Sequence, residues 1–151
     1  MKLDYDAKQA EAVQLLLEAP IGVITGPPGV GKTSCLKMAL DELDARRQSY
    51  RLCAPTGKAA KRMSEATGRP AQTIHRLLEW SRGGFLRNAA DPITDSLVCV
   101  DEGSMLDLIL TADLVDALSP QKRVVFVGDA NQLPPIGPGM FFRDLIASKK
   151  V

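Results

Sequence analysis

The sequence has few of the residues that hold transition metals or form disulfides. It contains 3 cysteines and 1 histidine in 151 residues. Cys35, Cys53 and Cys99 stand far apart, and no C-x-x-C pair occurs, which argues against a zinc site and against a disulfide framework. We expect the three thiols to be small buried side chains of a protein in the reducing cytosol.

Long hydrophobic runs are also absent. No run of about 18 apolar residues occurs, and the N-terminal segment MKLDYDAKQAEAV is acidic and amphipathic. This pattern excludes a membrane span and a signal peptide, so we expect a cytoplasmic protein. The length suits one domain with its own core, and 45% hydrophobic with 25% charged residues is ordinary globular usage.

Charge of one sign is scarce or absent in each of two long stretches. The net charge is only +1, yet residues 46–87 hold ten basic and two acidic side chains, and residues 88–120 hold seven acidic side chains and no basic one. Such segregation suits either two solvated faces or a basic surface for a polyanion beside an acidic region. The charge pattern leaves both interpretations open.

Strand and helix patterns alternate along the chain. Short apolar runs predict strands that are covered on both faces, at Ile21–Thr25, Ser49–Ala54, Ser96–Val100 and Arg123–Val127. Helical patterns lie at Ala7–Glu18, Lys32–Arg47, Lys58–Ala66, Thr73–Trp80 and Met105–Leu118. In the first helix we expect Asp6 as the N-cap and Ala10, Val13 and Leu17 on the buried face. The alternation predicts an α/β fold with a parallel sheet.

The segment TGPPGVGKTS, residues 25–34, matches the phosphate-binding pattern G-x-x-x-x-G-K-[ST] between a strand and a helix. Because prolines 27 and 28 lack N–H groups, the donors for phosphate must come from later residues and the helix N-terminus. The predicted contacts are Gly29, Val30, Gly31, Lys32, Thr33 and Ser34. Lys32 would neutralise the β and γ phosphates and Thr33 would ligate Mg²⁺, whereas the alternative is a plain glycine-rich turn.

An acidic pair follows the third predicted strand. Asp101 and Glu102 come directly after LVCV, at the carboxyl end of a strand, where α/β sheets bind ligands. Asp101 is suited to hold Mg²⁺, commonly through water, and Glu102 to position and polarise an attacking water. The alternative is that the pair merely caps the next helix.

Six segments in order resemble the motifs of the first RecA-like motor domain of superfamily 1 DNA helicases, closest to the RecD-like group, which moves 5′ to 3′ on single strands. YDAKQAEAV resembles the adenine-reading segment, GPPGVGKT resembles motif I, and APTGKAAKRM resembles motif Ia. TIHRLL resembles motif Ib, VDEGSM resembles motif II, and VGDANQLPPIGPG resembles motif III. In motif II, Gly103 stands where alanine is more usual.

The resemblance implies a three-layer P-loop NTPase fold with a mostly parallel sheet, and ATP with Mg²⁺ as ligands. It implies that Gln9 reads the adenine edge and that Gln132 senses the γ-phosphate and reports its loss to the loop 133–139. The expected catalytic residues are Lys32, Asp101, Glu102 and Gln132. An exposed helix glutamine and a polar turn residue remain the alternatives for the two glutamines.

The resemblance also places single-stranded DNA along motifs Ia and Ib. The expected contacts are Pro55, Thr56, Lys58, Thr73 and His75. His75 alternatively serves as a helix-cap or core residue. Trp80 and Phe85 either stack bases or pack beneath the neighbouring loop, and packing is the favoured interpretation.

We expect one RecA-like domain over residues 1–151, with 81–95 as a small hairpin-like insertion that in the family separates strands. The second motor domain, with the arginines that complete catalysis, is expected to come from elsewhere, in cis or in trans. DNA repair and recombination are the implied setting, and the oligomeric state stays open. A P-loop phosphotransferase and a nucleotide-gated DNA-binding module without turnover remain alternatives, although a phosphotransferase should carry an arginine-rich lid where LPPIGPG stands.

Overall fold

The computed structural model describes residues 7–132 and 135–148. The helices are α1 (Ala7–Glu18), α2 (Lys32–Ala45), α3 (Gly57–Thr67), α4 (Ile74–Leu77), α5 (Leu108–Asp116) and α6 (Phe141–Ser148), and a 3₁₀ turn spans Gly103–Met105. The strands are β1 (Ile21–Thr25), β2 (Tyr50–Ala54), β3 (Gln72–Thr73), β4 (Trp80–Ser81), β5 (Gly84–Phe85), β6 (Leu97–Val100) and β7 (Arg123–Gly128).

The main sheet has five strands in the order β1-β7-β6-β2-β3. All four neighbouring pairs are parallel, which confirms the predicted α/β class. The central strand β6 is fully buried along its length, as its unbroken apolar sequence LVCV requires. Strand β7, the last of the described strands in chain order, lies between β1 and the central strand β6.

Helices cover both faces of the sheet and give three layers. Since successive strand side chains point to opposite faces, Leu97 and Cys99 pack with α1, α2 and α3, whereas Val98 and Val100 pack with α4, α5 and α6. The two apolar clusters together form the core on either side of one buried sheet. This arrangement confirms the predicted three-layer fold.

The buried face of α1 differs from the prediction. Leu16 is fully buried at the centre of that face, Val13 and Leu17 are partly buried, and Ala10 is exposed. The prediction was therefore wrong for Ala10, because the helix packs around Leu16 on α2 and β1. The predicted cap, Asp6, lies outside the described residues.

Three predicted helices are shorter in the structure, and for α2 the difference is only the last two residues. The pattern over Thr73–Trp80 forms only the four residues of α4, because Glu79 adopts a left-handed φ of 55° that ends the helical path. The pattern over Met105–Leu118 divides into the 3₁₀ turn and α5. Asp107 starts α5 as its N-cap, and its carboxylate accepts a hydrogen bond from the Leu110 N–H at 2.7 Å.

Strands β4 and β5 form a small antiparallel hairpin on the α4 side of the sheet. Phe85 is partly buried against the core cluster there, and the Trp80 ring meets it edge-on at 4.8 Å between centroids. Trp80 is nonetheless 62% exposed, so the favoured packing holds for Phe85 and is wrong for most of the Trp80 surface. Asp95 pairs with Arg51 at 2.9 Å, which fixes the end of the segment that follows the hairpin to β2.

The three cysteines are buried and unpaired, as predicted. Burial raises the pKa of each thiol. Within the described ranges, no helix combines the length and the apolar character that crossing a membrane would take.

Candidate nucleotide-binding and catalytic site

The strand order brings three separate chain segments to one edge of the sheet. Strands β1, β7 and β6 are neighbours, and their carboxyl ends lead into the phosphate loop, into residues 128–132 and into the acidic pair. Together they enclose a cleft of about 480 Å³. Its lining consists of Pro28, Gly29, Gly31, Lys32, Thr33, Ser34, Asp101, Glu102, Gly128, Asp129 and Gln132.

The phosphate loop takes a conformation that its glycines permit. Gly29 and Gly31 have φ values of +83° and +89°, in the region that side-chain-bearing residues rarely adopt. At Gly29 a Cβ would meet nothing within 4 Å, so the backbone conformation alone requires glycine. At Gly31 a Cβ would also lie 2.6 Å from Nε2 of Gln9. The predicted adenine-reading glutamine therefore lies against the phosphate loop.

The Lys32 ammonium lies over the mouth of the loop. It donates to the carbonyl oxygens of Gly26 and, at 3.2 Å, of Pro27. Neutral carbonyls are weaker partners for an ammonium than anionic phosphate oxygens. A bound phosphate would therefore replace these carbonyl oxygens as the hydrogen-bond partner of the Lys32 ammonium.

Burial controls the ionisation of the acidic pair. Burial raises the pKa of the Asp101 carboxyl, against the lowering effects of the Glu102 N–H, which donates to Asp101 Oδ1 at 2.8 Å, and of the Lys32 charge. Burial and then the Asp101 charge raise the pKa of the Glu102 carboxyl. Glu102 also has left-handed backbone angles, φ 54° and ψ 41°, a strained conformation of the kind that clusters at functional sites.

The oxygen ligands of the cleft fit Mg²⁺. Thr33 offers a hydroxyl and Asp101 a carboxylate, which are hard ligands of the type that Mg²⁺ prefers. In the part of the chain that the structure describes, no three His, Cys, Asp or Glu side chains form a metal-binding group. Mg²⁺ commonly binds through one or two protein ligands plus substrate phosphates and water, so this small ligand set suits it.

Gln132 lies at the rim of the cleft, where the chain leaves β7. Its N–H donates to the Asp129 carbonyl at 3.2 Å, and its side-chain oxygen accepts from the Ser104 hydroxyl at 3.1 Å. The proposed reporting loop is described only from Pro135, since residues 133 and 134 lie outside the described ranges. Pro138 accepts from the Leu108 N–H at 2.8 Å, which joins this loop to the start of α5.

The predicted DNA contacts lie on the same edge of the sheet but outside the cleft. Pro55, Thr56 and Lys58 follow β2, and Thr73 and His75 stand where β3 passes into α4. The Thr56 and Thr73 hydroxyls each accept a helix-capping N–H at 3.2 Å, and their own hydrogens remain for a further acceptor. Lys58 and His75 are exposed, so the core alternative for His75 is wrong.

Ion pairs reduce the charge of the basic stretch. Arg69, for example, reaches both Asp41 at 2.5 Å and Asp44 at 2.6 Å on α2. Five of the ten basic side chains of residues 46–87 take part in such pairs: Arg46, Arg51, Lys61, Arg69 and Arg87. The charge surplus in the sequence therefore overstates the charge available to a polyanion.

Sequence reasoning missed three residues of this region. Arg62 on α3 lines a second cavity of about 200 Å³ together with Lys32 and Glu102, and its charge lowers the Glu102 pKa against the effect of burial. Asp129 is 8% exposed at the end of β7, and Ser104 is 7% exposed below Gln132. The signal for Asp129 was its position directly after a strand, and Arg62 is one helical turn beyond Lys58. No sequence signal marks Ser104.

Known proteins resemble this chain over most of its length. A family model described as an AAA domain matches residues 9–138. The chain is 42% identical over 133 residues to the ATP-dependent RecD2 DNA helicase of Deinococcus radiodurans, which covers 88% of this chain and 19% of that protein. It is 34% identical over 163 residues to the RecBCD enzyme subunit RecD of Mycobacterium tuberculosis, covering 92% of this chain and 28% of the relative.

A solved structure supports the same fold. The crystal structure of the Pif1 helicase from Candida albicans matches with a TM-score of 0.63 and 21% identity over 89% of this chain and 34% of that one. At this identity the match shows the fold alone. The chain spans less than a third of the length of both curated relatives. From the family match and the relatives, the chain belongs to the AAA domain family and is a RecA-like motor domain of the RecD-like group of superfamily 1 helicases.

Proposed function

We propose that this chain is the ATP-binding and ATP-hydrolysing part of a DNA helicase that moves 5′ to 3′ on single-stranded DNA. The observation that carries the proposal is the strand order. It gathers the phosphate loop, the acidic pair and Gln132 around one cleft on β1, β7 and β6, and leaves the predicted DNA contacts on β2 and β3. The proposed nucleotide and nucleic-acid sites would thus lie side by side on one edge of the sheet.

In the proposed reaction, each side chain has a task that its surroundings support. Lys32 exchanges its loop carbonyls for the β and γ phosphate oxygens, and N–H groups from Gly29 to Ser34 bind the remaining oxygens. Thr33 and Asp101 would hold Mg²⁺, which would supply positive charge to neutralise the phosphates. Glu102, which lines the cleft beside Asp101, polarises the attacking water. Gln9 contacts adenine, and Gln132 contacts the γ-phosphate.

Calorimetric titration with ATP and Mg²⁺ tests the nucleotide site. Lys32→Ala is expected to weaken binding by about 10-fold or more, because a hydrogen-bonded charge pair is lost. Lys37→Ala provides the matched control, since Lys37 is exposed on the same helix and does not line the cleft. Equal ATP affinity of the Lys32→Ala variant and the unmodified chain would refute the site.

Fluorescence anisotropy with a labelled oligonucleotide tests the DNA surface. We expect weak binding that falls as salt rises, because phosphate contacts release counterions. Thr56→Ala combined with Lys58→Ala should weaken binding and reduce the salt slope by about 1. Lys61→Ala is the control, because Lys61 is on the same helix, 79% exposed and paired with Glu65. A salt-independent signal, or equal effects of the two sets, contradicts the proposal.

The rest of the motor is proposed to come from a second RecA-like domain, in cis or in trans. The curated relatives are several times longer than this chain, which is consistent with such a partner. Direction is tested with whichever polypeptides complete the motor, on duplexes with a 5′ or a 3′ single-stranded tail. Displacement only from the 3′ tail would overturn the 5′ to 3′ assignment. A cytoplasmic location and a role in DNA repair and recombination are part of the same proposal.

A further inference from the structure

We propose that Ser104 is a positioning residue that turns the amide group of Gln132 toward the terminal phosphate of a bound nucleotide. The inference rests on the proposed role of Gln132 as the phosphate sensor and adds a residue to that site. It begins from one contact, in which the Ser104 hydroxyl lies 3.1 Å from Gln132 Oε1.

The direction of this hydrogen bond decides which end of the amide is left for the ligand. An amide oxygen only accepts, so the Ser104 hydroxyl must be the donor. With the oxygen engaged, the NH₂ group remains for a partner in the cleft that Gln132 lines. Phosphate oxygens accept hydrogen bonds from an NH₂ group, whereas an amide oxygen facing them would be repelled. In this arrangement the Ser104 hydroxyl holds the amide oxygen, and the NH₂ group is the end of the amide that is left for phosphate.

Ser104 is itself held firmly, which a positioning residue requires. It is 7% exposed and lies in the 3₁₀ turn that packs on the end of β7. A Cβ on Gly128 would lie 3.1 Å from the backbone nitrogens of both Gly103 and Ser104, so the turn packs closely on the strand and a side chain there would crowd it. Phe142, 2% exposed, covers the other side of Gly103. The backbone that carries the Ser104 hydroxyl is therefore packed between β7 and Phe142.

The same turn begins directly after Glu102. Met105 N–H donates to the Glu102 carbonyl at 3.0 Å, and Leu106 N–H donates to the Gly103 carbonyl at 3.2 Å. The carboxylate proposed to polarise water and the hydroxyl that orients the sensor are thus two residues apart on one rigid segment. A nucleotide whose terminal phosphate engages Gln132 also engages, through Ser104, the turn that fixes Glu102.

The test compares the affinities of a non-hydrolysable ATP analogue and of ADP, each with Mg²⁺, by calorimetry. The readout is the ratio of the ADP to the analogue dissociation constant, which a purely structural defect would leave unchanged. Gln132→Ala is expected to lower this ratio about 10-fold or more, as loss of a hydrogen bond to a charged group implies. Ser104→Ala is expected to lower it about 3- to 10-fold, and the double variant no further than Gln132→Ala alone.

Two further variants complete the design. Ser81→Ala is the control, because Ser81 makes a comparable hydrogen bond, 3.0 Å to the Gly84 carbonyl, in the hairpin outside the cleft. Its ratio should not change. Ser104→Cys has nearly the volume of serine and a much weaker donor. It is expected to lower the ratio as well, and it replaces Ser104→Ala if that variant does not fold.

The outcomes separate the two proposals. If Gln132→Ala leaves the ratio unchanged, the sensor role fails and the Ser104 role fails with it. If Gln132→Ala lowers the ratio but Ser104→Ala and Ser104→Cys do not, the sensor role stands and the positioning role is overturned. Additive effects of the two alanine substitutions in the double variant would also overturn it, because the two side chains would then act independently.

Discussion

Replacing Gly103 with alanine should destabilise the fold, although alanine is the more usual residue at this place in motif II. Gly103 has no left-handed backbone angle, so the reason for glycine is space. A Cβ there would lie 2.9 Å from Cδ2 and 3.0 Å from Cε2 of Phe142, and 3.3 Å from the Val127 carbonyl oxygen. The phenyl ring occupies the volume that the extra methyl group would need.

The magnitude follows from two opposing effects. The nearest contact falls short of the ordinary limit of 3.4 Å by about half an ångström. Phe142 is 2% exposed in α6, so its ring cannot move aside into solvent. Overpacking of this kind costs about 1–3 kcal/mol. The reduced freedom of the unfolded chain returns about 0.4–1 kcal/mol when glycine becomes alanine. We expect a net loss of about 1–2 kcal/mol in the free energy of unfolding.

Urea denaturation measures this loss against a matched substitution. Gly57→Ala is the control, because Gly57 begins α3 and a Cβ there would meet nothing within 4 Å. That variant should be neutral or more stable by up to about 1 kcal/mol. Phe142→Leu should relieve the clash, so the double variant with Gly103→Ala should lose less than the sum of the single losses by about 0.5 kcal/mol or more. A Gly103→Ala stability equal to that of Gly57→Ala would refute the reasoning.

Three further predictions concern thiols, pH and turnover. Because burial raises the pKa of Cys35, Cys53 and Cys99, the native chain should react slowly with a thiol reagent at pH 8, and fast reaction before unfolding would contradict this. The Asp44 pKa is lowered, first of all by the hydrogen bond from Arg69. The ionised Asp44 carboxylate therefore stabilises the folded chain at neutral pH, and this contribution is lost as pH falls through the pKa of Asp44 in the folded state, below about 4. The stability difference between the unmodified chain and Asp44→Asn should therefore shrink on acidification, and a constant difference by urea denaturation would count against it. The 151-residue chain alone should release phosphate from ATP far more slowly than ~10 s⁻¹, because an arginine supplied from outside such a domain raises the rate of phosphoryl transfer by about 10³–10⁵. A phosphate-release rate of about 10 s⁻¹, or displacement of a DNA strand by this chain, would contradict the prediction.

Local sequence patterns predicted the parts of the fold that depend on neighbouring residues. Strand β1 has the predicted bounds, Ile21–Thr25, because its apolar run ends at the glycines of the phosphate loop. Helix α3 begins and ends within a residue of the prediction, since Thr56 caps its start and Gly68 ends it with a left-handed φ of 70°. Capping and periodicity are properties of a few adjacent residues, and the sequence shows them directly.

The parts that failed depend on residues far apart in the chain. Trp80 was expected to pack, but its exposure depends on where the hairpin meets α4, and no local pattern reports that contact. The Ser104–Gln132 hydrogen bond joins residues 28 apart in sequence. It exists because β6 and β7 are neighbours in the sheet. Alternating apolar runs predict that strands are parallel, but they do not give the order in which the strands lie.

The order of the strands explains why the candidate site depends on β7, which follows the other described strands in the chain but lies inside the sheet. Strand β7 pairs with β1 along Ile21–Thr25 and with β6 along Leu97–Val100, so it joins the strand before the phosphate loop to the strand before the acidic pair. The Gly128 carbonyl also accepts from the Gly26 N–H at 3.3 Å, at the very start of the loop. Residues that bind phosphate, hold Mg²⁺ and sense the γ-phosphate in the proposed reaction are therefore fixed relative to one another by β7. A sequence motif names each group separately, whereas the distances between the groups, on which phosphoryl transfer depends, come from the pairing of this one strand.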